Sequence, residues 1–176
     1  MRGPAPFIAI VLLTFLAFAS ALGHAPVWDD RIYIFDNPVV EEARWAEIGA
    51  RPTGSYHRPV VFGTFAIERA WLGSGTGAMR LSNVALHAAV ACLLLLAALR
   101  LGAPRVPATA GALLFALHPI QTEAVTYISG RTDLLAALFS LLALLLHARW
   151  RKWRAEPEAA GRPVALAGAL LCYVLA

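Results

Sequence analysis

Charge is scarce in this 176-residue chain: Asp, Glu, Lys and Arg together make up 15% of it. None of the four occurs between Arg2 and Asp29, between Arg80 and Arg100, between Arg105 and Glu123, or between Asp133 and Arg149. A soluble domain carries about 25% charged residues, so the composition argues against one. Cysteine is limited to Cys92 and Cys172, both inside apolar blocks. That excludes a disulfide framework and leaves both thiols as small hydrophobes. Lysine is nearly missing too: Lys152 stands alone among fourteen arginines, within a combined total of 15. The Gly73–Gly77 segment lacks the Lys-Ser/Thr of a phosphate-binding P-loop and reads as a flexible linker. The net charge of +4 comes from basic residues that flank apolar blocks, not from a basic face, so no nucleic-acid partner is expected.

What is there in abundance is apolar sequence, 59% of the chain, with a mean hydropathy of +0.64. A membrane helix needs roughly 20 such residues. The charge-free blocks predict an all-α, polytopic bundle of membrane helices with four complete spans, at about 4–23, 81–101, 106–119 and 132–148. A fifth, unfinished span occupies 163–176, and a long extracytoplasmic first loop occupies 24–80. The third and fourth spans are short and need interfacial residues or a thinner bilayer. With its fifth span unfinished, the chain is expected to be the N-terminal piece of a longer protein.

Arg2, the Arg100/Arg105 pair and the cluster Arg149, Arg151, Lys152 and Arg154 mark cytoplasmic ends under the positive-inside rule. The N-terminus is then cytoplasmic, and residues 24–80 and 119–133 lie outside. The Arg- and Ala-rich composition suggests a bacterial inner membrane, with the outward face periplasmic. Residues 1–23 also resemble a signal peptide ending at Ala19-Ser20-Ala21. An uncleaved helix is preferred because the block is long enough to span and further spans follow. Within the long loop, Asp36-Asn37-Pro38 reads as a turn, Val39–Ile48 as a short helix and Pro52–Ser55 as a break. Pro59–Leu72 reads as a helix lying in the membrane interface.

The polar residues are distributed unevenly. Asp29, Asp30, Arg58, Asn83, His87, His118, Glu123, Arg131 and Asp133 all fall at outward ends of blocks or in the first loop, whereas the inward ends carry almost only Arg and Lys. Ionisable groups beside bilayer-length apolar runs are costly unless they meet water, one another or a substrate. Each has a catalytic and a structural meaning. The Asp29-Asp30 pair suits a general base, a cation site or an acceptor anchor, or else a solvated turn. Arg58 suits a phosphate or lipid head groups. Asn83 and His87, four apart on one helix face, suit a substrate or interhelical hydrogen bonding. His118 before Pro119 suits the cavity or a cap on freed carbonyls. Arg131 is the natural partner of Glu123 or Asp133, and Thr122 and Thr132 suit helix caps. No His-x-x-x-His or Cys-x-x-Cys accompanies the acids, so no metal site and no cofactor are expected; a divalent cation has no support.

These residues occur in a recognisable order. Val27-Trp28-Asp29-Asp30-Arg31 with Asp36-Asn37-Pro38 precedes Tyr56-His57-Arg58-Pro59-Val60, then Asn83 to His87, then His118-Pro119 through Thr122-Glu123-Ala124-Val125 to Gly130-Arg131-Thr132-Asp133-Leu134-Leu135-Ala136. The pattern resembles the N-terminal part of GT-C glycosyltransferases, above all the transmembrane and tetratricopeptide repeat-containing O-mannosyltransferases and their bacterial relatives. That resemblance implies an enzyme moving a sugar from a polyprenyl-phosphate donor to a protein or glycan hydroxyl at the outer membrane face, with inversion. It implies that Asp29 or Asp30 is the essential acid, and that Arg58 lies near the donor phosphate. His118, Glu123 and Arg131 would shape the outer cavity. Two departures stand out: His57 looks inserted between Tyr56 and Arg58, and Gln121 stands where relatives often have His. Two other classes compete. A lipid or sugar transporter would place charges near mid-span or break paired helices. A plain membrane anchor for a repeat scaffold would not explain the one-sided polar cluster.

Overall fold

The computed structural model describes residues 3–50, 57–73, 75–154 and 162–175, and every regular element among them is helical. Helix α1 (Ala5–Phe18) runs on into a 3-10 segment (Ala19–Gly23), making an apolar stretch of 19 residues. The first loop carries α2 (Pro38–Glu41), α3 (Trp45–Ala50) and α4 (Pro59–Leu72). Then follow α5 (Thr76–Arg100), α6 (Arg105–Leu117), the short α7 (Thr122–Thr126), α8 (Arg131–Arg154) and α9 (Arg162–Leu175).

Among the described residues, three stretches are long and apolar enough to cross a membrane: Ala5–Gly23, Thr76–Arg100 and Ile128–Arg151. Helix α6, with 13 residues, is only about 20 Å long at 1.5 Å per residue. Helix α9 is likewise apolar but short. The helices overlap the expected blocks, with α5 starting five residues before 81 and α8 running six residues past 148. The end of the expected fifth span, Ala176, lies outside the described residues.

Helix α5 is the centre of the bundle, with α1, α6 and α8 packed around it and α9 folded back on α8. Ala108, Ala112 and Ala116 recur every four residues along α6 and are buried against Ile10, Ala91 and Leu95. Small side chains at that spacing let backbones approach closely where lipid removes the usual hydrophobic drive. The same approach brings the Ala116 carbonyl to His87, whose Nε2 bonds it at 3.0 Å. The imidazole is fully buried, with Phe18 edge-on to it and Phe115 tilted against it.

The first loop is a folded cap rather than an open connection. Ile34, Val40, Ile48, Phe62 and Phe65 close over Met79 at the start of α5 and Ile128 before α8. The Asn37 side chain caps α2 by accepting from the Val39 amide at 3.0 Å, with Pro38 in the first helical position. The single helix expected over Val39–Ile48 is instead two, α2 and α3, because Ala43 takes a positive φ of 49° between them. Helix α4 runs as expected, started by Pro59 and stopped by Gly73 at φ 77°. The expected linker is partly helical, since Gly77 already lies in α5. A Cβ on Gly77 would come within 3.1 Å of the Leu22 carbonyl oxygen, so its lack of a side chain lets the two helices meet. The expected break at Pro52–Ser55 lies outside the described residues, as does Tyr56.

Candidate functional site

The polar residues singled out by the sequence separate into a buried knot and an open cleft. Arg131 is the hub of the knot, 1% exposed. Its Nε donates to Asn83 Oδ1 at 2.8 Å, and its Nη2 donates to the Met79 carbonyl at 2.9 Å and to Ser82 Oγ at 2.6 Å. Nη1 reaches Thr64 Oγ1 at 3.3 Å, and the guanidinium lies 4.3 Å over the Phe65 ring. The carboxylate that neutralises it is Glu68, at 2.9 Å. This corrects the expected pairing with Glu123 or Asp133: the first turn of α8 faces α4 and α5, so Arg131 turns inward to them. Asn83 completes the knot by donating from Nδ2 to the Tyr127 and Ile128 carbonyls at 3.1 and 3.2 Å.

Arg80, one turn earlier on α5 than Asn83, is equally buried. It donates to the carbonyls of Thr126 (2.9 Å), Ala25 (2.7 Å) and His24, tying the start of the first loop to α7. Asp30 is its electrostatic neighbour. The Asp30 carboxylate is wholly buried and occupied on both oxygens. Oδ1 accepts from the amide and hydroxyl of Ser129, each at 2.9 Å, and Oδ2 accepts from the Val27 amide at 3.2 Å. Gly130 allows the turn after Ser129 to press on α7, where a Cβ would sit 2.7 Å from the Ala124 carbonyl oxygen.

Asp29 points the other way. It is exposed and lines a cleft of about 240 Å³ with Arg58, Glu123, Tyr127, Thr132 and Asp133. Phe62, Phe65 and Val61 of α4 form the apolar wall. Arg58 donates to Thr132 Oγ1 at 3.3 Å, which sets its guanidinium across from the carboxylates. Thr132 lies within the first turn of α8 and not at its cap, because that helix begins at Arg131. Asp29 is held by Tyr127, whose hydroxyl accepts the Asp29 amide hydrogen at 3.1 Å. Burial, with the charges of Asp29 and Asp30 nearby, pushes the Tyr127 phenol above its ordinary range. A second cavity of about 460 Å³ adjoins the first and shares Arg58, Val61 and Thr132 with it. Its remaining wall includes Pro59, Val60, Leu135, Ala136 and Val174.

Of the nine residues singled out by the sequence, Asp29, Arg58, Glu123 and Asp133 thus meet at one cleft. Asp30, Asn83 and Arg131 build the support beneath it, and His87 lies among α1, α5 and α6. His118 is exposed outside the cleft lining, where its Nδ1 accepts from the Ile120 amide at 3.2 Å. It caps an N–H and not the carbonyls expected of it. Thr122 likewise opens α7 without capping it; its carbonyl accepts from Thr126 Oγ1 at 2.7 Å. Among the described residues no group of three His, Cys, Asp or Glu is disposed to hold a metal ion. The residues that sequence reasoning missed are Glu68, Arg80, Tyr127 and Ser129. Glu68 had a usable signal, since it follows Phe65 and Ala66 on the apolar face of α4, where a carboxylate needs a partner.

No family model matches the chain, and no solved structure matches it. Known proteins do. A protein O-mannosyl-transferase of Caenorhabditis elegans is 30% identical over 169 residues, covering 86% of this chain and 24% of that protein. Protein O-mannosyl-transferase Tmtc1 of Drosophila melanogaster is 32% identical over 162 residues, 80% of this chain and 18% of its own length. Human protein O-mannosyl-transferase TMTC2 is 42% identical over 92 residues, 52% of this chain and 11% of its own. The chain therefore spans at most about a quarter of the curated relatives named here, and over most of its own length it is a homologue of the TMTC protein O-mannosyl-transferases.

Proposed function

We propose that the chain is part of a membrane glycosyltransferase that moves mannose from a polyprenyl-phosphate donor to a protein hydroxyl at the outer membrane face. The observation that carries this reading is the pairing, in one cleft, of the exposed Asp29 carboxylate with the Arg58 guanidinium. The names of the relatives support the sugar and the acceptor class. The apolar cavity that continues from Arg58 suits the first isoprene units of a lipid-linked donor.

In this reading the acceptor oxygen attacks the anomeric carbon as the carbon–oxygen bond to the donor phosphate breaks. Asp29 takes the acceptor proton, and Arg58 offsets the charge that develops on the departing phosphate. Attack from the face opposite the phosphate inverts the anomeric centre. Asp30 takes no proton, because both its oxygens already accept from Ser129 and Val27; it holds Asp29 in place. Glu123 and Asp133 line the acceptor side of the cleft. The positive-inside pattern supports a cytoplasmic N-terminus and an outward site, and the composition supports a bacterial inner membrane.

The test is transfer by the full-length protein in membranes, with a defined polyprenyl-phosphate mannose donor and a Ser/Thr peptide. Asp29→Asn is expected to abolish transfer with normal expression and membrane insertion. Arg58→Ala is expected to weaken it chiefly through the donor. Transfer retained by Asp29→Asn would overturn the assignment of the base.

A further inference from the structure

Asp29 follows an uncommon piece of backbone. Trp28 has a φ of 41°, in the left-handed region, which costs a non-glycine residue roughly 1–2 kcal/mol. The turn around it is closed by the Asp30 amide on the Val27 carbonyl (2.9 Å) and the Arg31 amide on the Trp28 carbonyl (3.1 Å). That turn sends Asp30 inward and Asp29 outward. Exposed on a strained turn, the Asp29 side chain needs a contact from outside its own segment to keep one orientation.

Tyr127 supplies that contact from 98 residues away. Its hydroxyl oxygen accepts the Asp29 amide hydrogen at 3.1 Å, and the Asp29 carboxylate lies beside the same hydroxyl. The phenol is itself fixed. The Tyr127 amide donates to the Glu123 carbonyl at 3.3 Å, and its carbonyl accepts from Asn83 Nδ2 and the Gly130 amide, each at 3.1 Å. Through Asn83 the ring is referenced to α5, and through Gly130 to the start of α8.

We propose that Tyr127 is a positioning residue of the transfer reaction: its hydroxyl takes the Asp29 amide hydrogen, gives its own hydrogen to the Asp29 carboxylate, and so aims that base at the acceptor. Because burial keeps the phenol protonated, Tyr127 is a donor and not a rival base. The inference rests on Asp29 being the base. The other charged groups around Asp29 are Asp30 on its own loop, Arg58 before α4, Glu123 on α7 and Asp133 on α8. Tyr127→Phe removes none of these charges.

The experiment compares Tyr127→Phe, Asp29→Asn and the unaltered full-length protein, using a polyprenyl-phosphate mannose donor and a Ser/Thr peptide. Tyr127→Phe is expected to lower kcat about tenfold or more, the scale of an acid–base group out of place, with the donor KM within twofold. The acid limb of the pH–rate profile should move to higher pH, because the charged carboxylate has lost a hydrogen-bond donor. Replacing Tyr127 by 3,5-difluorotyrosine, a better donor of the same shape, should move that limb the opposite way. This variant keeps the test decisive if Phe disturbs folding. Unchanged kcat and pH limbs in both variants, with Asp29→Asn inactive, would overturn the role of Tyr127 alone. Transfer retained by Asp29→Asn would remove the base itself.

Discussion

Asp29 and Asp30 share a peptide bond and little else. Around Asp30 the knot is densely connected: its oxygens hold Ser129 and Val27, Arg80 holds three carbonyls, and Arg131 holds Asn83, Ser82 and Met79 and pairs with Glu68. Around Asp29 the cleft is open, and Glu123 and Asp133 stand exposed beside it with Arg58 as the cation of its lining. The difference separates two uses of charge. Buried, interlocked groups define one geometry, since removing a partner strands another in a medium of low dielectric. Open groups keep their hydration and so remain available to a ligand.

The contrast breaks most sharply at Arg131. Replacing it with Met strands the Glu68 carboxylate, 14% exposed, and a broken buried pair costs about 3–5 kcal/mol. Thermal unfolding in detergent should show a large loss, partly recovered when Glu68→Gln is added. Failure of the second change to rescue the first would mean that the pair does not carry the knot. A smaller effect separates the two aspartates. Asp30→Asn turns an amide toward the Val27 N–H, leaving that donor unmatched at about 1–3 kcal/mol. Asp29→Asn should leave stability unchanged while abolishing transfer, so the two variants should rank oppositely in unfolding and in activity. Comparable in size is Gly130→Ala, whose methyl meets the Ala124 carbonyl oxygen at 2.7 Å. Overpacking of that kind costs about 1–3 kcal/mol, and the displaced α7 should lower transfer. Smallest is Glu41→Gln. It removes the 3.1 Å ion pair with Arg69 through a side chain that is 57% exposed, worth about 0.5 kcal/mol and less at high salt.

Much of the scaffold was legible in the chain. Helices α1 and α5 announce themselves as charge-free blocks, and α4 is bounded by Pro59 and Gly73, each placed where its backbone preference starts or stops a helix. The early start of α5 was hidden because Gly75, Gly77 and Arg80 look like a linker and a flanking charge. Only the approach to Leu22 and the three carbonyls around Arg80 give them their helical setting. The site was legible as a group and not as individuals. Segregation of polar residues to one end points to Asp29, Arg58, Glu123 and Asp133, yet it marks Asp30 and Arg131 equally. Which of two adjacent acids turns inward depends on the φ of Trp28 and on donors about a hundred residues away. No local pattern encodes that. Tyr127 escaped notice because a tyrosine between polar residues looks ordinary until its hydroxyl meets Asp29.

The 13 residues of α6 have a consequence for the depth at which the cleft sits. The hydrocarbon core is about 30 Å thick, whereas α6 rises about 20 Å at most. With Arg105 at one boundary, Leu117 stops about 10 Å short of the other, and any tilt deepens the shortfall. The broken run of short helical turns from His118 to Gly130 would then start below the head-group plane. Such backbone is tolerated there only against protein or water. A cleft at that depth would be wet, and under the proposed function a head group on a lipid tether would meet it without being lifted out of the membrane.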